Sequence, residues 1–284
     1  MTRNSTTARK AEELLDVQVV ATSPVAGGDI CTATRLKLSD GRNALMKTHV
    51  HPPIGFFEAE ARGLTWLAVE GGVPVPEVLA VDTDCLIIPF VETGKQTPDA
   101  AIEFGRALAQ LHAATVDTFG ADDDGFIGRL PMRNTAADTW AEFYATRRVL
   151  PYLKLATDRG AISPADAGVV EGLVGRLADL LPVESPSRLH GDLWNGNVLW
   201  GTDGHVHVID PAAYAGHREV DLAMLALFGL PHLPRVMDSY QEVTPLADGW
   251  EDRLGLHQIF PLLVHACMFG GGYGARAAAV AARY

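Results

Sequence analysis

The segment LHGDLWNGNVLW, residues 189–200, places an imidazole, a carboxylate and two amides in a short turn between strand-like residues. Asp192 and Asn197 are five positions apart, and His190 stands two before Asp192, which is the spacing of the kinase catalytic loop. In that loop a carboxylate orients and deprotonates an attacking hydroxyl, and an amide oxygen holds Mg²⁺. The segment therefore predicts phosphoryl transfer and supplies a candidate base and a candidate metal ligand.

The other groups that phosphoryl transfer needs occur in the expected order. Lys47 lies in a predicted strand and is a candidate for gripping the nucleotide phosphates, while Glu60 on the next helix can turn inward to hold it. Asp210 ends the apolar stretch HVHVID, where a strand would deliver a second Mg²⁺ ligand. A turn at Gly27 and Gly28 precedes the Lys47 strand, where a phosphate-covering loop belongs. Each residue alone is more often a plain turn or surface residue, but the ordered set favours an ATP- and Mg²⁺-dependent kinase.

The first ninety residues predict a small sheet. Residues 17–50 contain short strands broken by turns, one of which carries the Asp-Gly hairpin signal. Residues 55–72 have apolar side chains at helical spacing and end in Gly, as a helix should. Two further short strands follow in residues 73–92. This region is therefore expected to be an antiparallel sheet with one main helix.

The remainder of the chain is mostly helical in pattern, apart from a short hairpin around the motif at residues 188–211. We therefore expect an α+β fold with two lobes. The predicted nucleotide-binding lobe covers residues 1–91, the connector lies near residues 89–92, and the helical catalytic and acceptor-binding lobe covers residues 92–284.

The composition limits the classes of binding partner and the compartment that can be expected. The 284 residues carry a formal charge of −12, so nucleic acid and anionic membrane surfaces, which need basic patches, are not expected to bind. Three widely spaced cysteines suggest neither a zinc site nor a disulfide framework, which favours a reducing compartment. The first residues lack the apolar core of a signal peptide, and no apolar run is long enough to span a bilayer. We expect a cytoplasmic protein and predict no particular oligomeric state.

The motif segment, together with IDPAAYAGHREVDLAML, resembles the fructosamine kinase (ketosamine-3-kinase) family. This family belongs to the aminoglycoside-phosphotransferase-like kinases, which have a bilobal protein-kinase-like fold. The segments FEAEARGLTWL, GFIGRLPMRN and FGGGY also resemble family segments and occur in family order, so the resemblance covers nearly the whole chain. It implies an ATP-dependent kinase that phosphorylates the O3 hydroxyl of ketosamines such as fructosamines or ribulosamines, free or protein-bound. Phosphorylation destabilises the adduct and frees the amine, which is a deglycation repair.

The resemblance also assigns roles, residue by residue. It implies the general base Asp192, the Mg²⁺ ligands Asn197 and Asp210, and the phosphate-gripping pair Lys47 and Glu60. The segment PFV, which consists of Pro89, Phe90 and Val91, falls where the hinge between the lobes binds adenine through main-chain groups. Pro89 has no N–H but keeps its C=O for the adenine amino group, and the Val91 N–H can donate to the ring.

Three positions depart from the family pattern. Pro89 replaces an acidic hinge residue, which should be harmless because main-chain atoms bind the base. Gly125 and Met132 stand where Asn and Gln are expected. The last two changes affect either the bracing of the helical lobe or the shape of the acceptor pocket.

The acceptor side is less defined by the sequence. Trp194 beside Asp192 either stacks on the sugar or its linker, or packs against the helical lobe. His217 and Glu219 either reach the acceptor amine or the loop, or belong to a surface turn that enters a helix. Asp221 is expected to brace the catalytic loop through main-chain hydrogen bonds. His265 either packs the last helices or, as the resemblance implies, lies near the acceptor cleft.

Two other functions remain open at this point. One is an aminoglycoside or other amino-sugar kinase on the same scaffold, which the acidic balance also fits. The other is a nucleotide-binding pseudokinase, although the complete set of Lys, Glu, Asp, Asn and Asp argues against it. Cys31, just past the glycine turn, is either a redox-active thiol beside the nucleotide or an ordinary strand cysteine.

Overall fold

A five-stranded antiparallel sheet forms the first part of the protein. The computed structural model describes residues 5–26, 30–114 and 116–284. The strands run in the spatial order β1-β2-β3-β5-β4. Their bounds are β1 Val19–Val25, β2 Thr32–Leu38, β3 Asn43–Thr48, β4 Ala80–Asp82 and β5 Cys85–Pro89. The turn between β2 and β3 has Gly41 at φ 92°, as the Asp-Gly signal predicted.

Two helices, α1 (Ser5–Leu15) and α2 (Phe56–Leu67), cover opposite faces of this sheet. Because side chains alternate along a strand, Ile87 packs with the α1 face whereas Ile88 packs with the α2 face. Only one helix was expected here, and α1 was missed. Its fully buried residues on the sheet are Ala8 and Ala11, which add little to an apolar periodicity, and the larger Leu14 and Leu15 at its end are only partly buried.

The chain after the sheet is mostly helical, as expected. The helices are α3 Pro98–Ala113, α4 Trp140–Phe143, α5 Leu150–Asp158, α6 Pro164–Val174, α7 Leu177–Leu180, α8 Glu219–Phe228, α9 Leu233–Val243, α10 Trp250–Phe269 and α11 Tyr273–Ala281. A π-helical segment, Tyr144–Val149, joins α4 to α5. The predicted cap is present at α6, where the Asp166 N–H donates to Ser163 Oγ at 3.1 Å and Pro164 is the first helical residue.

Three short strand pairs hold the loops of this part. They are β6 Gly125–Ile127 with β7 Leu130–Met132, β8 Ser187–Leu189 with β11 Tyr214–Gly216, and β9 Val198–Trp200 with β10 Val206–Val208. The single hairpin expected around the motif is therefore only partly right. The hairpin is β9–β10, whereas β8 pairs with β11 and closes the base of the loop that carries Asp192.

The sheet and the helical part touch beside the motif as well as at the connector. The ring of Phe56, at the start of α2, lies 5.3 Å from the ring of Phe126 in β6. A Cβ on Gly63 would lie 3.2 Å from side-chain atoms of Pro211 and Ala213, so α2 also packs closely on the segment after Asp210. The division into lobes at residues 91 and 92 stays a prediction. Across the described ranges, no helix combines the length and the hydropathy of a membrane span.

Candidate active site

A cavity of about 1200 Å³ lies between the sheet and the helical part. The side chains that the sequence singled out converge on it. Those that line it are Lys47, Glu60, Pro89, Phe90, Val91, Asp192, Trp194, Asn197 and Asp210. The predicted glycine turn, Gly27 and Gly28, lies outside the described residues. His217 and Glu219 do not line the cavity.

Lys47 and Glu60 form a buried ion pair at the back of the cavity. Lys47 Nζ lies 2.7 Å from each carboxylate oxygen of Glu60 and 2.9 Å from Asp210 Oδ1. Burial acts to lower the pKa of Lys47, but the two carboxylates outweigh it and raise that pKa. Burial likewise raises the pKa of Glu60, against the opposing charge of Lys47. The ammonium is therefore held charged and in a fixed position.

Asp210 follows β10 with a backbone φ of 57°, a left-handed conformation that is uncommon for a residue with a Cβ. This turn directs Oδ1 inward to Lys47, where that oxygen is shielded from solvent. The side chain as a whole is 38% exposed, so its accessible area lies away from Oδ1 and on the cavity side. Asp210 thus offers one oxygen to the lysine and presents the remainder of its carboxylate to the cavity.

The catalytic loop is anchored by Asp221 in α8. Asp221 Oδ2 accepts from the His190 N–H at 2.7 Å, and Oδ1 accepts from the Gly191 N–H at 2.9 Å. Gly191 has φ 81°, and a Cβ there would lie 2.0 Å from the Ala212 carbonyl oxygen, so only glycine fits. The bracing role expected for Asp221 agrees with this geometry.

Asn197, one of the two predicted metal ligands, is hydrogen-bonded to Asp192, the predicted base. Its Nδ2 donates to the Asp192 carbonyl oxygen at 2.8 Å and to Asp192 Oδ2 at 3.3 Å. Because the amide N–H₂ group is turned to Asp192, the amide oxygen remains for another partner. This oxygen and the outer oxygen of Asp210 are the hard donors that Mg²⁺ prefers. The residues present therefore fit the cation.

Asp192 is the most strongly perturbed carboxyl that points into the cavity. Burial, reinforced by the nearby charge of Asp210, raises the pKa of Asp192 to about 7, while the hydrogen bond from Asn197 opposes the shift. A carboxyl with a pKa near neutrality can accept a proton more readily than an ordinary aspartate. Next to it, burial lowers the pKa of His190, whose Nε2–H donates to the Ile209 carbonyl at 2.8 Å and ties the loop to β10.

The hinge segment offers main-chain groups and an apolar slot. The Phe90 N–H donates to the Asn43 carbonyl at 3.0 Å. Because hydrogen-bonded and non-hydrogen-bonded pairs alternate along an antiparallel ladder, the C=O of Pro89 points away from β3. The side chains lining this end of the cavity are apolar: Val25, Ala33, Leu45, Ile88, Leu199 and Ile209. A flat, weakly polar base fits between them.

Trp194 combines both alternatives that the sequence left open. Its side chain is 40% exposed and lines the cavity, yet its ring meets Phe228 edge-on at 6.0 Å. Gly196 lies directly beneath the indole, since a Cβ there would come within 2.3 Å of the ring. The indole is thus held in place by the helical part while part of its surface remains accessible to a bound acceptor.

His217 and Glu219, expected near the acceptor, are fully buried elsewhere, and that expectation is corrected. Glu219 begins α8 and points toward α10, where Arg253 pairs with it at 2.6 Å. The residues of α8 that do line the cavity are Val220 and Met224, one helical turn apart. The direction of a side chain at the first turn of a helix is set by its packing partner, here a residue 34 positions away.

The buried group around His217 is a hydrogen-bonded cluster and does not have the free lone pairs of a metal site. His217, Glu219 and His257 lie close enough to ligate one ion. However, the Glu219 N–H donates to His217 Nδ1 at 3.2 Å, and the indole N–H of Trp140 donates to His257 Nε2 at 3.2 Å. Each ring therefore carries its proton on the other nitrogen, which faces a carboxylate at 3.5–3.6 Å. Burial lowers the pKa of His217 to about 4, so its ring is neutral at pH 7.

Other lining residues were not found from the sequence. Carboxylates of the loop after β-bridge residue Gly120 face the cavity at Asp122, Asp123 and Asp124. The only sequence signal was an acidic triplet before a glycine.

His265 was expected either to pack the last helices or to lie near the acceptor cleft, and the structure shows it in both roles. Its ring lies 4.9 Å from that of Phe228, its Nδ1–H donates to the Pro261 carbonyl at 2.7 Å, and it lines the cavity.

Cys31 also lines the cavity. Burial raises the pKa of its thiol to about 11, and Lys47 opposes this only partly. A thiol in that state has little thiolate at neutral pH, so the structure favours the ordinary strand cysteine over the redox-active one.

The chain is similar to known proteins over its whole length. The family model described as fructosamine kinase matches residues 1–284. A probable ketoamine kinase of Thermus thermophilus is 39% identical over 252 residues, which is 88% of each protein. The solved structure of a candidate fructosamine-3-kinase from Thermobifida fusca superposes with a TM-score of 0.93 at 48% identity over 98% of each chain. Choline kinase from Streptococcus pneumoniae has a TM-score of 0.69 at 17% identity, over 99% of this chain and 100% of that one, and supports the protein-kinase-like fold alone.

Proposed function

Because the chain belongs to the fructosamine kinase family, we propose that it transfers the γ-phosphate of Mg·ATP to the O3 hydroxyl of a ketosamine, free or protein-bound. The single observation that best supports this is the meeting of Lys47 and Glu60 from the sheet with Asp192, Asn197 and Asp210 in one cavity. The fold is that of a phosphotransferase. Three free cysteines fit the expected cytoplasmic location.

The nucleotide binds at the sheet side of the cavity in this proposal. The Pro89 C=O accepts from the adenine amino group, and the Val91 N–H donates to the ring. A guanine would present its carbonyl oxygen to Pro89, so adenine is preferred. Lys47 then contacts the α- and β-phosphates, because its ammonium is already fixed by Glu60. Asn197 and Asp210 would hold Mg²⁺, which would supply positive charge to offset that of the nucleotide phosphates.

Asp192 is the base. Its Oδ2 accepts from Asn197, which leaves Oδ1 for the acceptor hydroxyl. As the hydroxyl oxygen bonds to the γ-phosphorus, the bond from that phosphorus to the bridging oxygen breaks and ADP leaves. The hydroxyl proton passes to Asp192, whose raised pKa favours receiving it.

The acceptor sugar lies against Trp194, which offers an accessible aromatic surface next to the base. On this side of the cavity Arg62 pairs with Asp123 at 3.3 Å, which leaves the charges of Asp122 and Asp124 unbalanced by it; this net negative charge suits a protonated amine. The same negative charge suits a polycationic amino sugar, so an aminoglycoside-type acceptor is the second candidate.

The test is ADP release with ribulosyl-lysine, fructosyl-lysine and kanamycin side by side, with Asp192→Asn as the inactive control. We expect turnover with a ketosamine and a phosphate attached to O3 by NMR of the product. Turnover with kanamycin alone would favour the second candidate. ATP binding without turnover on any acceptor would indicate a pseudokinase.

A further inference from the structure

Arg148 is a fully buried cation in the π-helical segment between α4 and α5. Such wide turns are rare and are often found at functional sites. A buried guanidinium is costly unless its N–H groups find acceptors. Within the described ranges no carboxylate forms an ion pair with Arg148, so other groups must hold it. Which groups these are indicates what Arg148 does.

The guanidinium is held by the carbonyl oxygens of residues 133 and 147, an amide and aromatic rings, while its buried Nε–H has no partner among the described residues. Its N–H groups donate to the Arg133 carbonyl oxygen at 2.6 Å and to Asn134 Oδ1 at 2.6 Å. Its carbon lies 3.9 Å from the centre of the Tyr214 ring and 4.7 Å from that of Phe143. The cation thus contacts both Asn134, which lies in the loop after β7, and Tyr214, which lies in β11.

Asn134 connects Arg148 to a loop that lines the cavity. Its Nδ2 donates to the Asp123 carbonyl at 3.1 Å, its main-chain N–H donates to Asp124 Oδ1 at 2.7 Å, and its carbonyl accepts from the Ala121 N–H at 3.0 Å. The segment of residues 121–124, here called the acceptor loop, is therefore wrapped around Asn134. Because Arg148 is a donor only, it also fixes which way the Asn134 amide is turned.

Tyr214 transmits the other contact to the catalytic loop. It lies in β11 opposite Leu189 of β8, the strand that leads into that loop. A Cβ on Gly191 would lie 3.1 Å from its ring, so the ring supports the backbone next to Asp192. One cation therefore contacts both the support of the acceptor loop and the support of the base.

We propose that Arg148 is a positioning residue that fixes the acceptor loop relative to Asp192 and so sets how tightly the acceptor is bound. The inference deepens the proposed function and rests on it for the identity of the acceptor. It predicts a large effect on the acceptor and little on the nucleotide. The contacts of Arg148 and Asn134 lie in the helical part, and the acceptor loop meets α2 through the exposed pair of Asp123 with Arg62, which is expected to be weak.

The experiment compares Arg148→Lys and Asn134→Ala with Arg147→Lys. The control, Arg147→Lys, removes the guanidinium of the preceding residue, which donates to the Thr135 carbonyl near the surface. Steady-state kinetics vary ribulosyl-lysine and ATP separately. We expect the acceptor KM to rise roughly tenfold or more in both variants, with the ATP KM within about twofold, because a charge-assisted hydrogen bond is lost on the acceptor side only. The double variant should be no worse than the worse single one, since both act through the same bond.

A second measurement does not depend on the acceptor. Hydrogen exchange of the intact protein should be faster over residues 119–125 in Arg148→Lys, with β1 to β5 unchanged. If the wild-type protein turns over no ketosamine, the proposed function fails. The kinetic test is then made with the acceptor of the panel that the wild-type protein does phosphorylate. The exchange result still decides the role of Arg148 in that case. Unchanged exchange with an acceptor KM within about twofold of wild type overturns the proposal. So does a parallel rise in both KM values, which would mark a general packing role.

Discussion

Replacing Asp221 by asparagine tests whether the catalytic loop depends on one buried carboxylate. Asp221 is completely buried and accepts three hydrogen bonds: from the His190 N–H, the Gly191 N–H and His112 Nε2. Asparagine has nearly the same shape, so no cavity is created. The substitution changes the charge and the hydrogen-bonding capacity but not the packing, and a control that loses the same charge separates the two effects.

The geometry sets the size of the effect. The two carboxylate oxygens accept from different donors: Oδ2 accepts from His190 and His112, while Oδ1 accepts from Gly191. Whichever way the new amide is turned, its N–H₂ group faces at least one of these donors. One buried N–H is then unpaired and the remaining bonds lose their charge assistance, which costs about 2–4 kcal/mol of unfolding free energy. For a chain of this size that lowers Tm by roughly 5–10 °C.

The measurements are thermal unfolding and turnover of Asp221→Asn, with Asp238→Asn as the control. Asp238 is an exposed aspartate on α9, so its loss of charge is matched without any loop contact. We expect kcat to fall roughly tenfold or more, because the backbone beside Asp192 shifts. If Asp221→Asn unfolds and turns over like the control, the loop does not depend on this carboxylate and the reasoning is refuted.

Three further outcomes are expected. The pH profile of kcat/KM should rise through an apparent pKa of about 7 and level above it, since Asp192 must be unprotonated to act as the base; a flat profile from about pH 6 to 8 would contradict this. Between pH 6.5 and about 4 the unfolded chain takes up a proton that buried His217 does not, so this residue should contribute about 2 kcal/mol to the fall of the unfolding free energy in urea from pH 7 to pH 5, to which His257, whose pKa is also lowered by burial, adds. His217→Gln should show a smaller fall, and an equal one would assign the pH dependence elsewhere. Trp194→Ala should raise the acceptor KM roughly tenfold with the ATP KM unchanged, whereas Trp194→Phe should retain most acceptor binding; an unchanged KM in the alanine variant would remove the stacking proposal.

The sequence predicts the centre of the site well because the chemistry restricts residue type and spacing together. Asp192 and Asn197 lie on one loop, so their separation along the chain is itself a geometric constraint. Lys47 and Glu60 are also local, on β3 and the next helix, and strand alternation directs the lysine to the α2 face. Asp210 could be predicted because it ends an apolar stretch, where a strand delivers a side chain to the site. These five residues indeed meet in one cavity.

The parts that were missed depend on contacts between distant segments. Glu219 points to Arg253 on α10, and no local pattern shows this direction. The π-helical turn that buries Arg148 changes the hydrogen-bond register inside a run that resembles an ordinary helix, so periodicity alone leaves Arg148 on no particular face. The residues of α1 that are fully buried on the sheet are small alanines, which a search for large apolar residues does not weigh.

The aromatic contact between Phe56 and Phe126 bears on how firmly the cavity is held together. Any movement of the sheet away from the helical part would separate these two rings as well as Lys47 from Asp210. An aromatic pair contributes about 0.5–1.5 kcal/mol and is insensitive to ionic strength, and the Lys47–Asp210 contact is screened little because its two atoms are shielded from solvent. Added salt should therefore do little to separate the sheet from the helical part, and the width of the cavity should depend little on ionic strength.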